Sequence, residues 1–474
     1  MNRKRIAAIT TGLVAVAAIG GYFFYTNTNS SAYAEAVATP TISQEHGKTV
    51  KTFELVAKEV DWNLDQENKV KAWTYNGLVP GSQIRVKQGD VVRVKLKNQL
   101  NDLVSIHWHG YPVPNSMDGI PGMTQNAVRP NETFTYEFDA TVPGTYWYHS
   151  HQDSANQVDK GLYGTLVVEA KDEQPTARDY TLVLDEWMPA AGGAMNHDAM
   201  SMGGMDHSQM NMGQQESGAG SSMGGMDHSN MQGMDHSSMS GMDHGSMPMP
   251  SQPATAPAQP GTGQSVLPPG AMHDEMMKMM YTIFTVNGKS GSAIAPLEVE
   301  RGDKVRLRFV NAGFQSHQIS LQSQQYQIVS VDGQKIDHPQ VITNQPLTIA
   351  PGERYDVEFT VDTDRSWLIE SQDLVGAAKQ MRVPVNIKGA EPAVEADSHP
   401  SAEKAVDLSA YGEKMNGKFS LDMKYDVEYN MDLGEKPGKT QMDAVFTING
   451  KSYADVPPLK VKKGDKILVT MKNI

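Results

Sequence analysis

One sequence pattern occurs three times in this chain of 474 residues. Each copy has an Asn-Gly pair, a connection that contains proline, a Gly-Asp pair and an alternating strand that ends at asparagine. The copies span residues 75–98, 286–311 and 448–473. Asn-Gly and Gly-Asp pairs mark tight turns, and alternating apolar and polar residues mark half-buried strands. Because long helical periodicity is absent between the copies, the repeat predicts tandem all-β domains with a Greek-key sandwich or barrel fold.

Two His-x-His pairs carry the chemistry of the first repeat. They are His107-Trp108-His109 and His149-Ser150-His151. Alternate residues of a strand point to the same face, so each pair is predicted to send two imidazoles in one direction. Four imidazoles from two strands suit a transition metal, with copper and zinc leading. The alternative is that the histidines are ordinary cross-strand neighbours, which two such pairs with flanking tryptophans do not favour.

Composition excludes several classes of site. The chain has no cysteine, which rules out disulfides, thiolate catalysis, cysteine-ligated zinc and a blue-copper thiolate within these residues. The formal net charge of -14 argues against a nucleic-acid partner, which needs a basic surface.

The N-terminus has the pattern of an export signal. Residues Arg3–Arg5 are positively charged, residues 6–25 are apolar, and Ala32-Tyr33-Ala34 fits a small-x-small cleavage site. The apolar stretch is also long enough to span a bilayer, so residues 1–34 are a signal peptide or an uncleaved membrane anchor. Both interpretations predict that the rest of the chain is exported, to the periplasm, the extracellular face of the membrane or the cell surface.

A low-complexity segment follows the first domain. Residues 190–270 are rich in Met, Gly, Ser, His and Pro, and Met-Asp-His recurs four times between residues 205 and 244. Such a composition cannot bury enough apolar surface to offset the entropy of ordering, so we expect a disordered insertion that separates the first two domains. Thioether and imidazole groups suit Cu(I), so the segment is either a copper-binding region or an inert polar linker.

The repeats and the low-complexity segment set the expected domain boundaries. Two domains are predicted to be complete and a third only begun, because the sequence stops where the third repeat ends. The predicted ranges are 48–170 for domain 1, 171–189 for a connection, 276–388 for domain 2, 389–404 for a linker and 405–474 for a truncated domain 3.

The histidine motifs resemble the first two copper signatures of the multicopper oxidases, the family of laccase, ascorbate oxidase and ceruloplasmin. Three further stretches resemble family sequences: Asp118–Gln125, Gly161–Gly164 and Ala350–Val357. The resemblance covers residues 50 to 474 apart from the Met/His-rich segment. It implies three cupredoxin domains and copper as the cofactor.

Residue by residue, the resemblance implies a role for each histidine. His107 would ligate the type 2 copper, and His109, His149 and His151 would ligate the type 3 pair. Asp118 would be a carboxylate near the cluster that relays protons during dioxygen reduction. The alternative for Asp118 is a turn residue before glycine.

Two family signatures are not found in these 474 residues. They are a His-Pro-x-His-x-His type motif and a His-Cys-His motif, which supply the other half of the trinuclear cluster and the type 1 copper. The chain thus carries the type 2 and type 3 sites in part, and the type 1 ligands are absent. We expect it to be a fragment without oxidase turnover.

Three functions remain open at this stage. The leading hypothesis is a copper-tolerance oxidase that oxidises Cu(I) or phenolic reductants and passes the electrons to dioxygen. The second is an exported copper-sequestering protein without turnover. The third, a relative that has lost its coppers, is disfavoured because both visible signatures are intact. The sequence leaves membrane anchoring through the N-terminus possible and says nothing about oligomeric state.

Overall fold

The computed structural model describes residues 36–173, 175–189, 280–322, 324–372, 380–394, 404–413, 418–437, 444–452 and 455–474. The predicted signal peptide or anchor and the Met/His-rich segment lie outside the described residues. Within the described ranges, no helix is long and apolar enough to cross a membrane.

The first domain is a sandwich of two sheets. Its elements are β1 (Thr41–Glu45), β2 (Lys48–Asn63), β3 (Lys69–Tyr75), β4 (Gly81–Lys87), β5 (Val91–Asn98), β6 (His107–His109), β7 (Thr133–Asp139), β8 (Gly144–His149), helix α1 (Ser154–Asp159) and β9 (Tyr163–Glu169). One sheet has the order β1-β2-β5-β7 with β3 paired to β2, and the other has the order β4-β9-β8-β6. In β5, Val92, Val94 and Leu96 are buried between the sheets while Lys95 and Lys97 are exposed, as alternation predicts.

The second domain repeats this architecture. Its strands are β10 (Arg178–Trp187), β11 (Ile283–Val286), β12 (Leu297–Val299), β13 (Lys304–Asn311), β14 (His317–Ser320), β15 (Gln325–Val331), β16 (Gln334–Lys335), β17 (Ile342–Thr343), β18 (Leu347–Ile349), β19 (Arg354–Thr360), β20 (Trp367–Ser371) and β21 (Arg382–Ile387). A seven-stranded sheet has the order β11-β10-β13-β19-β15-β16 with β17 on β15, and a five-stranded sheet has the order β12-β21-β20-β14-β18. The all-β class is therefore confirmed.

The third repeat forms a sheet of its own in the unit that contains residues 417–474. Its strands are β22 (Val427–Pro437), β23 (Ala444–Ile448) and β24 (Ile467–Asn473). β22 is central, antiparallel to β23 and parallel to β24.

The three-fold repeat has a structural cause in the Asn-Gly turn. In each copy, the asparagine has a positive φ, between 51° and 62°, and its side-chain oxygen accepts a hydrogen bond from a backbone N–H of the strand paired beside it, which is β2, β10 or β22. These asparagines are Asn76, Asn287 and Asn449, with distances of 2.8, 2.7 and 2.8 Å. Asparagine tolerates this conformation and supplies the acceptor, so one residue type ties all three turns to the neighbouring strand.

In the sequence, the Met/His-rich segment connects two paired strands of the second domain. β10 and β11 are antiparallel partners, with Trp187 opposite Ile283, and β10 also pairs in parallel with β13. The same arrangement joins β2 to β3 and β5 in the first domain. The expected connection over residues 171–189 therefore contains a strand that pairs with two strands of domain 2, whose predicted start is residue 276. The change of composition at residue 190 therefore marks the connection between two paired strands. Such a connection can lengthen while its strands stay paired.

Residues 404–413 also belong with the second domain. Val406, Leu408 and Tyr411 pack against its core, and the Val406 N–H donates to the Pro346 carbonyl at 3.0 Å. The range 405–474 predicted for domain 3 therefore begins with residues that pack on domain 2.

An apolar cluster joins the first two domains. Trp147 and Tyr163 of the first domain pack with Val183, Trp187 and other residues of the second in one buried group. This contact places β8, the strand that carries a histidine motif, directly against the second domain.

Candidate metal centre

The two histidine motifs lie on neighbouring antiparallel strands. In β6 and β8, His107 is opposite His149 and His109 is opposite Trp147. The intervening Trp108 is fully buried in the domain core, so the flanking imidazoles are directed to the opposite face. The expectation that alternation brings the histidines to one face agrees with this geometry.

The histidines converge closely enough to share metal ions. One ligand nitrogen from each of His107, His109 and His149 lies within 4.8 Å of the others. The His107 ring centroid lies 5.4 Å from that of His149 and 5.3 Å from that of His151. His151 follows β8, and its backbone N–H donates to the Ser105 hydroxyl at 3.1 Å. All four predicted ligands are therefore neighbours, although His151 lies outside the tight group of three.

Backbone carbonyls orient two of the imidazoles. His107 Nδ1 donates to the Asp118 carbonyl at 2.8 Å, and His149 Nδ1 donates to the Ser150 carbonyl at 2.8 Å. Each bond fixes the tautomer in which Nε2 carries the lone pair. His149 Nε2 lies 3.2 Å from His109 Nδ1, so these two nitrogens are the pair best placed to face one ion.

The electrostatics keep the imidazoles neutral. Burial lowers the pKa of His109 to about 4, with a smaller contribution from the nearby positive charge of Arg354. Burial also lowers the pKa of His149 well below its ordinary value, and that of His151 by less. Neutral imidazole is the form that binds a metal, so these residues are in ligand form at neutral pH.

Asp118 lies in a turn that contacts the centre through its backbone. Its carboxylate Oδ1 is 3.4 Å from His107 Nδ1, and its side chain is 34% exposed. The next residue must be glycine, because a Cβ on Gly119 would lie 1.8 Å from the Ile106 carbonyl oxygen. The turn thus packs on β6, and the structural role of Asp118 as a partner of His107 is clear from the carbonyl bond.

Aromatic packing supports the ligands. The Trp147 ring lies 4.7 Å from that of His109 and 4.2 Å from that of His149, tilted by about 30° in both cases. In the second domain, His317 is buried and paired with Glu186 at 2.6 Å. The second-domain turn at Gly352 also approaches His109, which sequence reasoning did not predict.

The donor set fits copper. Imidazole nitrogen is a good ligand for copper, zinc, iron and nickel, and the described cluster offers imidazoles with no thiolate. The Nδ1 atoms of His107 and His149 donate to backbone carbonyls, and metal-binding histidines generally make such an outer hydrogen bond.

Comparisons with known proteins agree with this fit. Two family models, each described as "Multicopper oxidase", match residues 56–173 and 254–387, which together are more than half of the chain. Copper resistance protein A of Escherichia coli is 39% identical over 137 residues, which cover 28% of this chain and 22% of that protein. Multicopper oxidase MmcO of Mycobacterium tuberculosis is 24% identical over 416 residues, covering 85% of this chain and 69% of that protein.

The solved structure of a multi-copper oxidase from Pseudomonas thermotolerans has the same fold. It aligns with a TM-score of 0.55 at 22% identity and covers 90% of this chain and 82% of its own. The chain spans less than a third of the length of the copper resistance proteins that it matches. Taken with the cupredoxin-like domains and the histidine centre, the matches establish that the chain belongs to the multicopper oxidase family.

Proposed function

We propose that the protein couples oxidation of Cu(I), or of phenolic reductants, to the four-electron reduction of dioxygen to water, in a copper-tolerance role. The observation that carries this proposal is the convergence of four histidines on and just after two adjacent strands, two of which are oriented by backbone carbonyls. The relatives named copper resistance protein A support the role in copper tolerance.

The histidines divide between two kinds of copper in this proposal. His107 would ligate the type 2 copper, and His109, His149 and His151 would ligate the type 3 pair. Bound copper would supply one-electron transfer at this position, since it cycles between two oxidation states with imidazole ligands. The chain itself supplies orientation: the carbonyls of Asp118 and Ser150 hold two imidazoles in the tautomer that presents Nε2.

Asp118 is the proposed proton carrier. Its carboxylate is partly exposed and lies 3.4 Å from His107 Nδ1, so it lies between solvent and the centre, where a proton relay needs a carboxylate. The N-terminal pattern supports export, which places the reaction outside the cytoplasm.

A second candidate is copper sequestration without turnover. The four Met-Asp-His repeats favour it, because thioether and imidazole groups bind Cu(I) without any oxidase chemistry.

Oxygen uptake separates the two candidates. The whole natural protein that contains this chain, rather than the 474 residues alone, is loaded with copper and supplied with Cu(I), and dioxygen consumption is recorded beside Cu(I) oxidation. The oxidase proposal expects sustained uptake at one dioxygen for four electrons, and its loss in His149→Ala. Binding of Cu(I) with no uptake above the His149→Ala variant would refute it in favour of sequestration.

A further inference from the structure

The second domain contacts the imidazole of His109. A Cβ placed on Gly352 would lie 3.3 Å from both Cε1 and Nε2 of that ring. This distance is tighter than ordinary van der Waals contact, so an alanine at position 352 would require the ring to give way by a few tenths of an ångström. The backbone of domain 2 thus forms part of the wall that limits how His109 can rotate.

Arg354 extends the same contact to the residue after His109. Its side chain is buried, and its Nη2 would be 2.3 Å from a Cβ on Gly110. Its Nε donates to the Thr145 carbonyl at 3.4 Å in β8. One guanidinium therefore touches both strands that carry the histidine motifs.

The guanidinium is itself held in place. Arg354 Nη1 donates to the Gly352 carbonyl at 2.9 Å and pairs with the Asp332 carboxylate at 3.0 Å. The bond to Gly352 closes the turn that approaches His109. A planar guanidinium with several fixed donors can make these contacts together, which a lysine ammonium cannot.

The strand opposite is fastened to the second domain as well. The Thr145 hydroxyl donates to the Asp356 carboxylate at 2.6 Å and accepts from Arg308 Nη1 at 2.9 Å. Trp147, two residues further along β8, packs on His109. The position of His109 is therefore defined by β8, which is fixed to domain 2, and by the Gly352–Arg354 turn, which is part of domain 2.

We propose that Arg354 is a positioning residue that sets the orientation of His109 for copper, so that the second domain controls a ligand that it does not itself provide. The inference rests on the proposed function only in so far as His109 is a copper ligand. It assigns to the second domain a role in assembling the metal centre, beyond the packing of one domain on another.

The test is Cu(II) binding by the full 474-residue chain, measured as an affinity by chelator competition and as an EPR spectrum. Arg354→Ala should weaken binding at the histidine centre by about 10- to 100-fold, the usual cost of losing an outer partner of a metal ligand. Arg354→Lys should recover part of the affinity, because an ammonium can still pair with Asp332. Gly352→Ala keeps the guanidinium but crowds His109, so it should change the EPR spectrum. Arg301→Ala removes an exposed arginine of the same domain and should match wild type.

Each outcome has a separate meaning. Wild-type affinity and spectrum in both Arg354→Ala and Gly352→Ala would overturn the proposal. So would an equal loss in Arg354→Ala and Arg301→Ala, since that would reflect general destabilisation. If Arg354→Ala does not fold, as judged by circular dichroism, Arg354→Lys and Gly352→Ala decide the question. If wild type binds no more Cu(II) than a His109→Ala/His149→Ala variant, the proposed function itself fails.

Discussion

Arg308 is predicted to stabilise the charge cluster where the two domains meet, because its Nη1 donates to the Thr145 hydroxyl of the first domain at 2.9 Å. The residue is 2% exposed, makes two 2.8 Å hydrogen bonds to Asp179, and pairs with Asp356 at 3.1 Å within the second domain. Arg308→Leu would leave the buried Asp356 and the partly buried Asp179 without this partner. Removing one member of a buried ion pair costs about 3–5 kcal/mol, so the free energy of unfolding at pH 7 should fall by that amount. The melting temperature should fall by roughly 10 °C.

The free energy of unfolding should also depend on pH through Asp179. Burial by itself would raise the pKa of Asp179, but hydrogen bonds and charge from Arg308, together with Arg85, lower it from 3.8 to about 2. A depressed carboxyl pKa stabilises the folded state above the unfolded value and loses that effect as the pH falls through the folded value. Asp179 should therefore contribute about 2 kcal/mol at neutral pH, lost between pH 4 and pH 2.

Urea unfolding from pH 7 to pH 2 measures both effects. Wild type should lose about 2 kcal/mol from Asp179 over the acid range, and Arg308→Leu should lose much less there because its deficit is already present at pH 7. Arg301→Leu is the matched control, since its ion pair with Asp364 is exposed and is worth less than about 1 kcal/mol. An Arg308→Leu variant within 1 kcal/mol of Arg301→Leu at pH 7 would refute the reasoning.

Three further perturbations follow from single contacts. Gly119→Ala places a Cβ 1.8 Å from the Ile106 carbonyl oxygen, so the turn must move away from His107. The affinity for Cu(II) should therefore drop at least about 10-fold in a competition assay. An unchanged affinity would contradict the account. Asn76→Ala removes two side-chain hydrogen bonds that tie the first Asn-Gly turn to β2, so the free energy of unfolding in urea should fall by about 1–2 kcal/mol. No measurable change would show that these two bonds do not stabilise the turn. Replacing Met and His by Ser in all four Met-Asp-His repeats should reduce the Cu(I) bound per chain in elemental analysis and leave the Cu(II) EPR spectrum intact, whereas a changed spectrum would assign the segment to the centre.

Local patterns account for much of what the sequence predicted. The Asn-Gly and Gly-Asp pairs are set by turn geometry within a few residues, so Asn76, Asn287 and Asn449 identify three equivalent hairpins without knowledge of the fold. Alternation likewise places His107 and His109 on one face. Such inferences depend only on near neighbours in the chain.

Contacts between segments that are far apart in the chain have no local sequence pattern that predicts them. The approach of Gly352 to His109 joins residues more than 200 positions apart, and nothing near either residue indicates it. The pairing of β10 with β11 across residues 190–279 is a further example, because composition suggested a domain boundary where the structure has a hairpin. Sequence reasoning therefore predicted the histidines that the structure brings together and missed the second-domain residues that approach them.

Copper-edge anomalous diffraction from copper-loaded crystals tests the central claim most directly. The account predicts one anomalous peak within bonding distance of His149 Nε2 and His109 Nδ1, a second within bonding distance of His107 Nε2, and loss of both peaks in His107→Ala/His149→Ala. Copper peaks only at other sites, with these three histidines free of metal at saturating copper, would contradict it.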